Sequence, residues 1–198
     1  MESRTQYYER MKDRARTVRV EHALTTARVT LSDLRRIYKA EGIRLDLWDH
    51  FSGRLRGAYF IDALGPSVAI NAKLPNDPRA FTMAHELKHH LEDRGAPISF
   101  CSSRNETEAV EIGAEVFAAE LLFPEQMFLE LFPSRRCSPK EIVDVKRTTG
   151  TTLSYTGLAK RAEFFGLVAK GSLAKVQWKK LEEEIYGVPF YKRRGTVR

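Results

Sequence analysis

The sequence predicts an α+β fold: a small, three-stranded, mostly antiparallel sheet followed by a longer run of helices. Three observations predict it. Residues 43–48 alternate apolar and polar side chains, as a half-buried strand does. Two more short apolar runs, 58–61 and 68–71, follow within a few residues, separated by Gly53, Gly57 and Gly65-Pro66. After Pro75 the apolar period lengthens from two to between three and four, which is the helical repeat.

Each helix carries its own punctuation. Residues 1–27 are polar and helix-permissive, with Arg and Lys throughout. Thr30 or Ser32 caps a helix that Gly42 ends. Asp77 as N-cap and Pro78 as first residue open a helix running to Arg94, with Gly95 as its stop. A loop spans 96–104. Asn105, with Glu108 three residues on, starts the next helix, which ends before Pro124. A short helix runs from Glu125 to Leu131. Ser138-Pro139-Lys140-Glu141 is a capping box for a helix ending near Gly150, and another helix runs from Leu153 to Phe165. The tail from Lys170 is basic, with 181–186 its most regular helical piece.

Composition narrows the function. With 198 residues, 42% of them hydrophobic, the chain can bury one substantial core. No apolar run approaches the roughly 20 residues of a membrane span, so no membrane role is expected. The first 20 residues contain no apolar core of the kind a secretory signal needs. Cys101 and Cys137 stand far apart and read as free thiols of a reducing cytoplasm. The net charge of +7 is segregated. Residues 1–40 hold 10 Lys/Arg against 5 Asp/Glu, 41–134 hold 8 against 15, and 135–198 hold 15 against 6. An acidic middle suits a bound cation, and basic ends suit an acidic protein surface or nucleic acid.

The chemistry concentrates on the helix after Pro75. His85-Glu86-Leu87-Lys88-His89 fits H-E-x-x-H. Residues four apart lie one above the other on a helix, so the two imidazoles can share one ion. At 100° per residue, with Phe81 at zero, His85 and His89 fall at about 40° and 80°, while Met83, Ala84, Leu87 and Leu91 fall between about 200° and 300°. The histidines therefore face away from the apolar stripe. Glu86, at about 140°, borders them. It is placed to take a proton from a water that the ion polarises. His90 lies off this face and reads as ordinary surface; His22 and His50 read as structural or exposed.

A catalytic zinc site needs a third protein ligand and one open position. On the next helix Glu108, Glu111 and Glu115 share an arc of about 60°, opposite Val110, Phe117 and Leu121. Glu111 is the chosen ligand. Glu115, one turn on, is expected to accept a hydrogen bond from a ligand histidine and fix its tautomer. Glu108 is the spare. Two histidines and one carboxylate favour Zn2+.

These residues resemble the ImmA/IrrE family of metallopeptidases. The family joins H-E-L-G-H to a downstream E-x-x-A-N-x-F-A-x-x-L-L-M-P. Here His85-Glu-Leu-Lys-His89 matches the first part. The second is matched by the fourteen residues from Glu111 to Pro124, Glu-Ile-Gly-Ala-Glu-Val-Phe-Ala-Ala-Glu-Leu-Leu-Phe-Pro. Flanking segments at 57–60, 68–71, 79–84 and 158–167 agree in order, so the similarity spans roughly 30–168. The resemblance implies a zincin-like core at 31–133 and a zinc-dependent endopeptidase. The substrate it implies is a protein, a helix-turn-helix repressor of a mobile element or stress response. It also implies His85, His89 and Glu111 as metal ligands and Glu86 as catalytic base. Around that core the reading places a basic helical extension at 1–30, a helix-turn-helix-like region at 134–168 and a basic tail at 169–198. Lys88 stands where the family has Gly: a long cation there would clash with a packed neighbour or repel the ion, unless it snorkels outward, which its angle on the helix allows. Glu115 stands where the family has Asn. Tyr59 and Tyr155 are the candidate oxyanion donors, and strand 68–71 would add an extended substrate as a further strand if it lies at the cleft edge. The alternatives are a DNA-binding regulator built on 138–167 and a protein-binding module whose metal site is not catalytic.

Overall fold

A computed structural model describes residues 2–50, 55–93, 98–101 and 109–187. The expected turn at Gly53, helix stop at Gly95, capping box at Asn105 and Glu108, and last residues of the basic tail lie outside the described residues. Among the described residues the chain forms an α+β fold of eight helices and one sheet: α1 (Arg4–Glu21), α2 (Leu31–Ala40), β1 (Arg44–Trp48), β2 (Gly57–Asp62), β3 (Gly65–Asn71), α3 (Asn76–Glu92), β4 (Ile98–Cys101), α4 (Ala109–Leu122), α5 (Glu125–Glu130), α6 (Pro139–Thr149), α7 (Tyr155–Phe164) and α8 (Trp178–Tyr186). It divides into two compact units, one of residues 1–125 with 151–153, the other of 126–150 with 154–198.

The sheet has four strands in the order β1-β3-β2-β4, not three. The fourth, β4, falls where the sequence suggested a loop. It is four residues long, too short to show a period, and it is held by antiparallel pairing with β2. The β2–β3 pair is antiparallel, as tight turns between short strands predict, whereas β1 runs parallel to β3. Because β3 is hydrogen-bonded on both sides, residues 68–71 offer no free edge to a substrate strand. The free edges belong to β1 and β4.

In the first unit α3 is the central element. It packs on α2, α4, β2 and β3. Ala80, Met83, Ala84 and Leu87 are fully buried, together with Val68, Ala69 and Ile70 of β3 and Phe117, Ala118 and Leu121 of α4. Each large apolar side chain buried this way contributes about 1.5–3 kcal/mol. Tyr38 of α2 donates its hydroxyl to the Met83 carbonyl at 2.7 Å, so the buried phenol has its partner. The α3 N-terminus differs from the expectation: the helix begins at Asn76 behind Pro75, with no side-chain cap, and Asp77 and Pro78 sit inside its first turn.

Helix α1 lies along α4. Two features bring it there. Gly113 leaves a gap that the Tyr7 ring occupies: a Cβ at Gly113 would sit 2.5 Å from the Tyr7 hydroxyl oxygen. The basic side chains of α1 meet acids of the middle segment. Arg10 reaches Glu92 at 2.6 Å, Lys12 reaches Glu125 at 2.9 Å and Arg16 reaches Glu120 at 3.0 Å. Part of the charge segregation in the sequence is thus answered within the chain.

In the second unit α6 packs on α7 and α8. The Ser138 capping box is present and Gly150 ends α6 with φ 62°, a left-handed backbone that glycine adopts without strain. Cys137 is half-buried, and burial, then the charge of Glu141, push its thiol up to about 12. At pH 8 the thiolate fraction is then far below that of a free cysteine. In the folded protein Cys137 is expected to alkylate with iodoacetamide at least about 100-fold more slowly than in denaturant, read by mass spectrometry of its peptide.

Candidate metal centre

The H-E-x-x-H segment lies in the second half of α3, and α4 delivers Glu111 from its first turn. The i, i+4 spacing sets the His85 and His89 rings side by side, centroids 5.0 Å apart. Their Nε2 atoms are 3.2 Å apart. The Glu111 carboxylate straddles them, Oε2 3.2 Å from His85 Nε2 and Oε1 3.6 Å from His89 Nε2. All three residues are buried, and their ligand atoms lie within 4.8 Å of one another.

The donor set fits a metal. Atoms about 2.1 Å from a tetrahedral zinc ion lie roughly 3.4 Å from each other. The two Nε2 atoms, 3.2 Å apart, are close to that value, and each has a different Glu111 oxygen near it, at 3.2 and 3.6 Å, so the carboxylate faces the point between the rings. Protonation states agree. Burial lowers the His85 pKa more than its hydrogen bond to Glu111 raises it, which favours the neutral ring. Burial alone would raise Glu111, but the hydrogen bond from His85 and the charge field of His89 and His85 hold it below the usual carboxylate range. Neutral imidazoles and an ionised carboxylate are the forms that bind a divalent ion.

Glu86 is the unusual group. It is fully buried, and among the described residues neither carboxyl oxygen meets a partner at hydrogen-bond geometry. Burial pushes its pKa well up, the negative charge of Glu111 adds to this, and the Tyr59 backbone N–H opposes it. Gly57 of β2 makes room for it: a Cβ there would stand 2.6 Å from Thr82 Cγ2 and 3.0 Å from Glu86 Oε1. An orphaned buried carboxyl is costly to a fold, so a protein that keeps one keeps it for chemistry.

A family comparison bears on this geometry. The family model Peptidase_M78, the IrrE N-terminal-like domain, matches residues 39–158, more than half of the chain. The chain belongs to the IrrE N-terminal-like domain family. No curated protein matches it. Membership makes the function of metallopeptidase type. The matched segment starts in α2 and ends in α7, so it holds all four strands, α3 and α4, while α1, which covers α4, lies outside it.

Several residues of this IrrE-like domain sit otherwise than the sequence suggested. Glu115 is exposed and bonds to neither histidine; it acts on His85 only through its charge. The hydrogen bond expected of it comes from Asp93, whose Oδ2 lies 2.7 Å from His89 Nδ1. Asp93 is four residues beyond His89 on the same helix face, a spacing legible in the sequence but overlooked beside the family motif. Lys88 does not snorkel outward: it is fully buried, donating to Asp93 Oδ2 at 2.7 Å and to the Val110 carbonyl at 3.1 Å. His90 is not surface either. It is buried with Nδ1 3.3 Å from the Tyr59 hydroxyl and Nε2 3.7 Å from Glu41. Tyr59 is thus buried against His90, and Tyr155, in the second unit, stacks on Trp178. Val110, expected on the apolar side of α4, is half-exposed. Glu108 lies outside the described residues.

Proposed function

We propose that this chain is a zinc-dependent endopeptidase of the cytoplasm that hydrolyses a peptide bond in a protein substrate, a helix-turn-helix repressor. The observation that carries the reading is the pairing of a metal-sized triad, His85, His89 and Glu111, with an unpartnered buried carboxyl, Glu86, next to it in sequence. A structural site has no use for the second part. Among the described residues no helix is long and apolar enough to cross a membrane, which is compatible with this assignment.

In this reading His85 and His89 Nε2 and a Glu111 oxygen hold the ion, and Asp93 fixes the His89 tautomer through Nδ1. Zinc, when bound, would supply a Lewis acid and a water of lowered pKa. Positive charge held there would favour the Glu86 carboxylate, its proton leaving to solvent. That carboxylate would accept the proton of the attacking water and pass it to the departing amine. Its burial and lack of hydrogen bonds keep it a strong base, because nothing else stabilises the carboxylate. Gly57 lies close against that carboxyl, since a Cβ there would stand 3.0 Å from Glu86 Oε1.

The test is metal content and cleavage together. The purified chain is expected to bind one Zn2+ per molecule, and a helix-turn-helix repressor encoded beside it is expected to be cut once by the zinc-loaded form. Removal of the ion with a chelator should abolish cleavage, and readdition of Zn2+ should restore it. Stoichiometric zinc without hydrolysis of that repressor, or of a peptide library, would reduce the chain to a metal-stabilised binding module.

A further inference from the structure

A lysine inside H-E-x-x-H puts a cation beside a cation site. Coulomb repulsion from an ammonium a few ångströms away should weaken metal binding, so its surroundings are informative. The Lys88 side chain is fully buried, and among the described residues its hydrogen-bond partners lead back to the site. Its Nζ donates at 2.7 Å to Asp93 Oδ2, the same oxygen that lies 2.7 Å from His89 Nδ1. Nζ also donates at 3.1 Å to the carbonyl of Val110, the residue before Glu111. On its third side it faces the Tyr7 ring of α1, 5.7 Å from the centroid, a cation–π arrangement. One ammonium therefore joins α3 at His89, the end of α3 at Asp93, the first turn of α4 at Glu111 and the helix that covers α4. Burial would push Asp93 up, but its hydrogen bonds with His89 and Lys88 outweigh that and hold it ionised.

We propose that Lys88 is a positioning residue of the metal site, clamping Asp93 onto His89 Nδ1 and the backbone beside Glu111 so that the three ligands are held together before the ion arrives. The inference rests on the proposed metal reading and deepens it. Asp93 neutralises the ammonium, which removes the repulsion a lysine would otherwise exert. What remains is the geometric effect: a ligand histidine with a fixed tautomer and a ligand glutamate with a fixed backbone. The one Lys88 ammonium reaches both Asp93 at the end of α3 and the Val110 carbonyl in the first turn of α4.

A purely structural ion pair would alter stability and leave the folded site as it is. The experiment therefore reads the zinc dissociation constant of folded protein, by competition with a chromophoric chelator, in the full chain. Lys88→Met keeps length and volume and loses the donors; it is expected to raise Kd about 10-fold, and Asp93→Ala about 10–100-fold. In the double variant the penalty should fall well short of the product of the two single penalties, because Lys88 acts in large part through Asp93. Lys88→Gln, which retains one donor, runs in parallel and carries the same expectation at smaller amplitude if the Met variant does not fold. In the metal-free wild type, nitrogen-15 spectra should show the His89 proton on Nδ1, and Lys88→Gln should mix the tautomers. An unchanged Kd in a folded Lys88 variant, or penalties that multiply in the double variant, overturns the proposal. If the wild type itself binds no zinc, the metal reading fails instead, so the two failures are distinct.

Discussion

Glu86→Gln is expected to keep the zinc of the wild type and to lower repressor cleavage by about 10²–10⁴-fold, the range that one general acid–base group contributes. Glu86 has no solvent access and, among the described residues, no partner at hydrogen-bond geometry, and burial raises its pKa well above the usual carboxylate value, which favours the neutral acid. Glutamine has the same shape and is also neutral. The exchange should therefore alter stability by only about 1 kcal/mol, since one unpartnered neutral group replaces another. His85, His89 and Glu111 are untouched, so zinc stoichiometry should stay at the wild-type level. What glutamine lacks is the ability to take a proton. The variant separates binding from chemistry: retained zinc and retained cleavage would remove Glu86 from the mechanism, and lost zinc would give it a role in holding the ion. Thermal unfolding, metal analysis and a cleavage time course on one preparation read all three quantities.

The residues proposed for this chemistry were legible because their spacing is mechanical. An i, i+4 pair of histidines shares a helix face whatever the helix packs against, and the structure does bring Glu111 to that pair from α4. The Ser138 capping box and the αL glycine at 150 were legible for the same reason, since both are local. Burial was not. The helical wheel of α3 assigns one apolar face and one polar face, yet every residue from Thr82 to His90 is buried, because α2, α4, β2 and β3 surround the helix. That is why Lys88 and His90, read as surface from their angles, are interior groups with partners. The parallel β1–β3 pairing and the short strand β4 depend on long-range contacts that no local pattern encodes. Asp93 lay in plain view at His89 plus four, but Glu115 occupied the position that the family motif emphasised. The docking of α1 was half visible: opposite charges in two segments predict attraction, while the seat of Tyr7 against Gly113 requires knowing which face of α4 is open.

Gly57→Ala is the change at which fold and chemistry meet. The added methyl carbon would lie 2.6 Å from Thr82 Cγ2, 3.0 Å from Glu86 Oε1 and 3.1 Å from Ile70 Cδ1. The first distance is shorter than any real contact of such atoms, and all three neighbours are packed between β2, β3 and α3. The expected cost is about 1–3 kcal/mol of stability, the usual range for overpacking a close-packed core. In a chain of this size that lowers the melting temperature by roughly 2–4 °C for each kcal/mol. Thr82→Ser removes the clashing methyl while keeping the hydroxyl that donates to the Pro78 carbonyl at 2.9 Å. In the Gly57→Ala/Thr82→Ser double variant most of the lost stability should return. Activity should not, because the contact with Glu86 persists and a carboxyl displaced by a few tenths of an ångström no longer meets the water in line. A loss of at least about tenfold in kcat, with zinc content unchanged, is the expected result in both variants. Recovery of full activity along with stability would show that Glu86 tolerates the crowding, and that Gly57 serves packing alone.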